Sequence, residues 1–206
     1  MRVTISHRHS ALFAGATLVA VLGLGVMSAP AAAQSVAIPP SSSDDPFARH
    51  AWHLEIDSEI ASEAWNYNGS REVIYGLEPG FAYGLHKGLI FRATFPVRYI
   101  SQRGTDALQL GATFGFRGRF VGSARAAAFW QFDLGVSFAD TLAPRHGTRF
   151  NYLALGSIGG TFRLRGDLYG VTAIRLLHLS NASLVGPSRN PDIEAIGIQL
   201  GVGWGF

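Results

Sequence analysis

The sequence of 206 residues contains no cysteine. Disulfide bonds, a thiolate metal site, a cysteine nucleophile and an N-terminal lipid-modified cysteine are therefore all excluded. Charge is also scarce, since Asp, Glu, Lys and Arg make up only 15% of the residues. This low fraction, together with 25 glycines and 12% aromatic residues, is typical of a β-rich chain that is partly exposed to lipid.

Only the N-terminus contains a long apolar run, and no later segment is long and apolar enough to suggest a transmembrane helix. There, Arg2 and Arg8 precede the uncharged apolar stretch 11–27, and residues 28–33 offer a small-residue cleavage site. We therefore expect residues 1–33 to be a secretory signal peptide that is removed. The alternative is a retained anchor, for which an apolar stretch of about 17 residues is short.

The segment after the expected cleavage site is rich in proline and serine, and it predicts a flexible periplasmic N-terminal segment over residues 34–50. Loss of Arg2 and Arg8 with the signal peptide lowers the net charge from +3 to about +1. A chain so close to neutral gives no electrostatic case for a nucleic-acid partner.

Residues 51–206 form the predicted membrane domain, because apolar and polar residues alternate there in eight segments. Segments of this kind, with one apolar face and both charge signs on the other, predict transmembrane β-strands. We expect an all-β fold, an eight-stranded antiparallel transmembrane β-barrel in the outer membrane of a Gram-negative bacterium. A soluble barrel or sandwich is disfavoured, because such a protein would not turn an aromatic face outward on every strand. The predicted strands cover residues 52–60, 73–85, 89–99, 108–120, 130–138, 150–164, 168–179 and 192–206.

The inward faces of these strands carry both charge signs. An eight-stranded barrel is just wide enough for its interior to fill with side chains. The sequence therefore predicts a lumen plugged by ion pairs, with no conducting pore. The inward charged residues are Glu55, Asp57, Glu59, Glu78, Asp133, Arg92, Arg98, Arg117, Arg163 and Arg175.

The connections between strands alternate in length and so predict the orientation. The connections at 86–87, 120–124 and 164–167 are tight, whereas those at 63–71, 102–107, 139–148 and 181–191 are longer. Barrels of this kind place short turns in the periplasm and long loops outside.

Three reactive side chains depart from the apolar character of the outward face. His178, Ser180 and Glu194 share the parity of the lipid-facing residues of the last two strands. If this hairpin pairs symmetrically about Gly186, His178 lies opposite Glu194, and Ser180 stands two residues along on the same side. A serine, an imidazole and an orienting carboxylate are the parts of a hydrolase with an activated hydroxyl. The alternative is a set of interfacial polar groups without chemistry.

The residues around these positions resemble a known family. The stretches His-Leu-Ser-Asn-Ala at 178–182, Asn-Pro-Asp-Ile-Glu at 190–194 and His-Gly-Thr-Arg-Phe-Asn-Tyr at 146–152 resemble motifs of the lipid A 3-O-deacylase (PagL) family. The likeness is clearest from about residue 108 to the end of the chain.

The resemblance implies a function and a set of roles. An outer-membrane esterase would hydrolyse the 3-O-linked acyl chain of lipid A in the outer leaflet, with no cofactor and no metal. Ser180 would be the nucleophile, His178 the general base, Glu194 its orienter, and Asn181 would help to bind the oxyanion. Ser183 and Asp192 stand where the family commonly has glycine, and either substitution is expected to reshape the loop amides and lower the activity.

Other interpretations stay open at this point. One rival is a non-enzymatic barrel, an adhesin or structural protein, and a second is a phospholipase or acyltransferase of the same leaflet. A homodimer is also left open. His50 and His53 suggest a metal pair, but no further ligands accompany them, which favours structural histidines.

Overall fold

The computed structural model describes residues 45–65 and 71–206, which form a closed antiparallel β-barrel. The predicted signal peptide and residues 34–44 lie outside the described residues. The described elements are β1 (Trp52–Glu63), β2 (Val73–His86), β3 (Leu89–Thr94), β4 (Val97–Ser101), β5 (Ala107–Gly122), β6 (Ala126–Ala143), β7 (Thr148–Arg165), β8 (Leu168–Ser180), a 3-10 helix (Pro187–Arg189) and β9 (Ile193–Gly205). Within those described ranges, no helix has the length and apolar character needed to cross a membrane.

The ring contains eight antiparallel strands, because β3 and β4 are two halves of one strand position. Both halves pair with β2 on one side and with β5 on the other. β1 closes the ring by pairing with β2 and β9. The predicted fold class is therefore confirmed.

The interruption between β3 and β4 falls at Phe95 and Pro96, which the sequence placed inside a single strand. Proline has no N–H to give to the ladder, so regular pairing stops there. The backbone stays attached to both neighbours, because the Phe95 N–H donates to Pro79 and the Gly111 N–H donates to Pro96.

The outer wall of the barrel is apolar on every strand. Alternate residues of each strand point outward, and the outward positions are filled mainly by large aliphatic and aromatic side chains. Exposed members of this set include Trp52, Ile56, Tyr75, Phe81, Tyr99, Phe114, Trp130, Phe138, Ile158, Ile174, Leu200 and Trp204. Such a surface is stable against hydrocarbon but not against water.

The lumen is filled by three successive layers, which the inward residues of β8 illustrate. Buried Val171 lies near the end with the tight turns, Arg175 lies in the middle, and buried Leu177 and Leu179 lie toward the long loops. Two apolar layers thus enclose a charged one. The charges of this layer pair with one another inside the lumen.

Arg92 is the centre of one half of the charged layer. Its guanidinium donates to Glu55 at 2.9 Å, Asp57 at 2.7 Å and Asp133 at 3.3 Å. Glu55 also accepts from Arg117 at 2.7 Å. All five side chains are almost completely buried, so each charge depends on its partners for the solvation that water would otherwise provide.

Arg175 and Arg98 form the other half of this layer. Arg175 bonds Glu59 at 2.9 Å and Glu78 at 2.7 Å, and Arg98 donates to the same two carboxylates. Arg163, from the same predicted set, is only half-buried. The predicted plug of ion pairs is confirmed.

Both ends of the barrel are more ordered than the sequence suggested. Residues 45–50, which the sequence placed in a flexible segment, pack onto the tight-turn end, where Phe47 is fully buried. Asp45 pairs there with Arg119 at 3.0 Å. At the other end, β6 continues to Ala143. The predicted bounds of the loop, 139–148, are therefore wrong, and the connection consists of residues 144–147. Asp140 consequently lies on the strand, exposed on the outward parity.

Arg92→Met is expected to destabilise the barrel by about 3–5 kcal/mol, because it leaves buried carboxylates without their counter-charge. The affected groups are Glu55, Asp57 and Asp133. Urea unfolding of the refolded protein in detergent, followed by tryptophan fluorescence, measures the change. Arg125→Met is the control, because Arg125 is exposed in a tight turn. Equal unfolding midpoints for the two variants would show that the ionic layer contributes little.

Candidate active site

The last hairpin of the barrel brings together the three side chains that the sequence singled out. In the β8–β9 ladder, His178 lies directly opposite Glu194. This is the pairing expected for a hairpin that is symmetric about Gly186, and that prediction is confirmed. Ser180 ends β8, two residues beyond His178.

The imidazole of His178 contacts both other side chains at once. Its Nδ1 lies 2.6 Å from Oε1 of Glu194, and its Nε2 lies 2.9 Å from Oγ of Ser180. With an ionised glutamate, Nδ1 carries the proton and donates it to the carboxylate. The lone pair on Nε2 then accepts the hydrogen bond from the serine hydroxyl.

The three side chains differ in their exposure to the outside of the barrel. The side chains of His178 and Glu194 are 37% and 32% exposed on the outer wall, whereas Ser180 is only 6% exposed. On the same parity as His178, Ile174 and Leu176 are exposed and apolar. A carboxylate on this wall would be costly by itself, and its hydrogen bond to the imidazole offsets part of that cost.

The strand next to the hairpin leaves space beside these groups. On β7, Tyr152 pairs with Ser180 and Ala154 pairs with His178. Gly156 follows on the same outward parity, and a Cβ built there would meet no atom within 4 Å. Two successive small residues therefore leave a shallow depression in the outer wall, on the side of His178 that faces the middle of the barrel.

Asn181 holds the loop after Ser180 in place through two hydrogen bonds. The backbone N–H of Asn181 donates to Oδ1 of Asn190 at 2.8 Å, and its side-chain amide donates to the carbonyl of Arg189. Asn181 is 2% exposed. The role of Asn181 in binding an oxyanion stays a prediction. The Nδ2 group carries two hydrogens, and the bond to Arg189 uses one of them, so the second can serve as the donor to the oxyanion.

Two residues of this loop have structural contacts that the sequence did not indicate. Asn190 accepts the hydrogen bond from Asn181, and Arg189 donates to the carbonyl of Gly147 at 3.2 Å in the β6–β7 turn. Asn190 belongs to the family-like stretch 190–194, which gave a signal for its importance but not for its partner. For Arg189 the sequence carries no such signal.

The two positions that depart from the family pattern differ in their effects. Ala182 and Ser183 have φ values of 50° and 58°, and the Leu184 N–H donates to Asn181 at 3.1 Å, which defines a type I′ turn. The second central position of this turn favours glycine, so Ser183 adopts a strained backbone. The turn itself is nevertheless formed.

Asp192 is the second position that differs from the family pattern, and it lies near His178 and Glu194. One possible ligand atom from each of His178, Asp192 and Glu194 lies within 4.8 Å of the others. The three groups are thus spaced to hold a divalent cation.

His50 and His53 lie in different surroundings. His50 is exposed, and its Nδ1 lies 2.8 Å from the hydroxyl of Tyr83. His53 points into the lumen and packs edge-on against Tyr169, with ring centroids 5.5 Å apart. Within residues 45–65 and 71–206, neither belongs to a group of three or more potential metal ligands.

These features define a transmembrane β-barrel whose outer wall carries a hydrogen-bonded serine, histidine and glutamate. The profile of the family described as lipid A 3-O-deacylase (PagL) matches residues 38–203. The chain therefore belongs to the lipid A 3-O-deacylase (PagL) family, as its motifs suggested, and it is an outer-membrane protein.

One solved structure of an outer-membrane enzyme supports this fold. The crystal structure of the outer membrane enzyme PagL is 18% identical to this chain, with a TM-score of 0.53, and the match covers 71% of this chain and 97% of that one. The outer membrane protein OprG from Pseudomonas aeruginosa is 12% identical, with a TM-score of 0.48 and coverage of 79% and 98%. Comparison with curated proteins gives no match.

Ser183→Gly is expected to stabilise the loop after Ser180 by about 1 kcal/mol, because glycine adopts a left-handed backbone without the Cβ penalty. Amide hydrogen exchange of residues 181–190 in detergent should slow by about fivefold. Ser183→Ala keeps the Cβ atom and should exchange like the parent protein. Faster exchange in the glycine variant would contradict the assigned strain.

Proposed function

We propose that the protein hydrolyses the ester that links the 3-O-acyl chain to the glucosamine of lipid A, with Ser180 as nucleophile. The observation that supports this most directly is the position of the His178 imidazole, whose two nitrogens contact Ser180 and Glu194 simultaneously. Membership of the lipid A 3-O-deacylase family supplies the substrate class.

The first step forms an acyl-enzyme. His178 takes the proton of Ser180 on Nε2, while Oγ attacks the ester carbonyl and a tetrahedral intermediate forms. Glu194 holds the Nδ1 proton and stabilises the imidazolium. When the intermediate collapses, Nε2 gives its proton to the departing sugar oxygen, and the acyl group stays on Ser180.

The second step releases the acyl chain as a free fatty acid. Water loses a proton to His178 and attacks the acyl carbonyl, and the imidazolium then returns a proton to Oγ of Ser180. In both steps Asn181 offers its remaining side-chain hydrogen to the oxyanion. The hydrogen bonds of this residue to the loop keep its amide in place beside Ser180.

The position of the site on the outer wall suits a substrate that is itself part of the membrane. The long loops of such barrels face the cell exterior, so Ser180 lies at the level of the outer leaflet. An acyl chain that leaves the sugar and enters the hydrocarbon would run along the wall past His178. The depression at Ala154 and Gly156 lies on that path.

Ser180→Ala and His178→Ala are each expected to lower the hydrolysis rate by about 10³-fold or more, because either change removes the activated nucleophile. Glu194→Gln should lower it by about 10²- to 10⁴-fold, because the imidazolium loses its counter-charge. The measurement is mass spectrometry of lipid A from bacteria that express each variant. The parent protein should remove the mass of one hydroxyacyl chain.

Ser58→Ala is the matched control, because Ser58 is another outward-facing serine and pairs with Leu200, about 20 Å along β9 from Glu194. A well-folded parent protein that leaves the lipid A spectrum unchanged would favour a non-enzymatic barrel. Lysophospholipid, or a gain of mass on lipid A, would indicate a phospholipase or an acyltransferase.

Gly156→Leu is expected to raise the KM for lipid A by about tenfold, since the new side chain would fill the depression that receives the acyl chain. The barrel should fold normally, because the position is open. Gly160→Leu is the control on the same outward parity of β7, about 13 Å farther from the loops. An equal effect of both variants would contradict the proposed path of the chain.

A further inference from the structure

Asp192 brings a second carboxylate to the histidine and glutamate of the last hairpin. One potential ligand atom from each of His178, Asp192 and Glu194 lies within 4.8 Å of the other two. Among the residues that the structure describes, this is the one group of three or more histidine or acidic side chains with such spacing. The three side chains are neither buried nor fully exposed, so an ion can reach them from outside the barrel.

The backbone holds the two carboxylates in place. Glu194 pairs with His178 in the β8–β9 ladder, and its carbonyl accepts from the Ala64 N–H at 2.7 Å on the other side. Asp192 lies between Asn190, whose side chain accepts from the loop backbone at 2.8 Å, and the first residue of β9. This preorganisation lowers the entropy cost of bringing three ligands to one ion.

The charge of the group favours a cation. With both carboxylates ionised, two negative charges lie beside a neutral imidazole. The neighbouring outward residues Ile174, Leu176 and Ile196 are apolar, and opposite charges attract more strongly beside such a surface than in water. The cationic side chain of the preceding loop, Arg189, contacts the β6–β7 turn through the carbonyl of Gly147. The group therefore attracts a cation more strongly than a single exposed carboxylate does.

Each carboxylate can bind an ion and keep a contact that it already has. Glu194 accepts from His178 through one of its oxygens, Oε1, and Asp192 also has another interaction in the structure. An ionised carboxylate has two oxygens with about four lone-pair sites, so a ligand bond and a hydrogen bond can coexist on it. Ion binding therefore does not require either acidic residue to be free.

The imidazole, by contrast, has only one lone pair to give. In a neutral histidine one ring nitrogen carries the proton and the other carries the lone pair. His178 uses these two nitrogens for Glu194 and Ser180. If an ion takes the lone pair on Nε2, it displaces the hydroxyl of Ser180. If it takes a lone pair on Nδ1, the proton resides on Nε2, which then cannot accept the serine proton. In both cases the base is lost.

The ligand types favour zinc over the common hard cations. Imidazole nitrogen and carboxylate oxygen both bind Zn²⁺, and three protein ligands leave a fourth position for water. Calcium and magnesium prefer sites that are built from oxygen atoms. The chain has no cysteine that would bind zinc elsewhere.

We propose that His178, Asp192 and Glu194 bind a zinc ion, and that the bound ion blocks activation of Ser180. The effect on Ser180 rests on the function proposed above, whereas the metal site itself does not. The ion is an inhibitor and not a cofactor, because it occupies the lone pair that the reaction needs. Asp192 supplies the third ligand, so a chain with glycine at this position would not form the site.

Zinc binding is measured by isothermal titration calorimetry on the full-length protein in detergent, without lipid A and without a histidine tag. Asp192→Asn should weaken the affinity by about tenfold or more, because loss of even an outer-shell partner of a metal ligand costs about that much. Asp140→Asn is the matched control, since Asp140 is another exposed acidic residue on the outer wall. It should bind zinc like the parent protein.

Equal zinc affinity of the Asp192→Asn and parent proteins would overturn the proposal. Tighter binding of Ca²⁺ than of Zn²⁺ by the parent protein would also overturn it, because an imidazole ligand favours zinc.

The effect on the serine is followed by the rate at which a fluorophosphonate labels Ser180, which requires no lipid substrate. Saturating zinc should slow labelling of the parent protein by about 10²-fold or more, as expected for loss of a general base, and EDTA should restore the rate. In Asp192→Asn the same slowing should require about ten times more zinc. Each protein is compared with itself before and after addition of zinc.

Labelling that zinc leaves unchanged would refute the block. No labelling of Ser180 in the absence of zinc would refute the proposed nucleophile, and the block with it. The calorimetry would then still decide the metal site, so the two failures are distinguishable.

Discussion

The closed ladder of backbone hydrogen bonds is the constraint on which the other features of this barrel depend. Hydrocarbon offers no partners for N–H or C=O groups, so the strands must satisfy one another around a complete ring. Once the ring is closed, each residue has only two places to point, the lipid or the lumen. Charges of the lumen then need partners inside it, which Arg92 and Arg175 supply to the surrounding carboxylates.

The closed ladder also determines the position of the histidine and glutamate on the outer wall. A histidine and a glutamate on the lipid-facing parity lie at the end of β8 and the start of β9, where the wall meets the headgroups. Direct pairing of His178 with Glu194 in the ladder fixes their separation without any help from loops. The rigid sheet therefore orients the imidazole, and it also holds the backbone of Ser180, which pairs with Tyr152 on β7.

The features that follow from period-two alternation were predictable from the sequence. The alternation along β8 predicted that His178 points outward, and the symmetry of the β8–β9 hairpin predicted that it pairs with Glu194. Contacts between elements that are distant in the chain were not predictable, because no periodic pattern encodes them. The link from Arg189 to Gly147 is one case, and the approach of Asp192 to His178 is another. The extent of β6 was also missed, because polar residues continue that strand above the hydrocarbon, where alternation carries no apolar signal.

In the proposed function, the lipid substrate would meet two environments along the strand axis. Toward the hydrocarbon, small residues on β7 leave room for an acyl chain, and specificity there can come only from shape, since every neighbour is apolar. Toward the exterior, polar residues such as Asp140 continue the strands above the hydrocarbon. An ester placed beside Ser180 would lie at the boundary between these environments, where the sheet holds the imidazole of His178 beside the serine hydroxyl. Such positioning is the contribution that a rigid β-sheet, as opposed to a flexible loop, makes to catalysis.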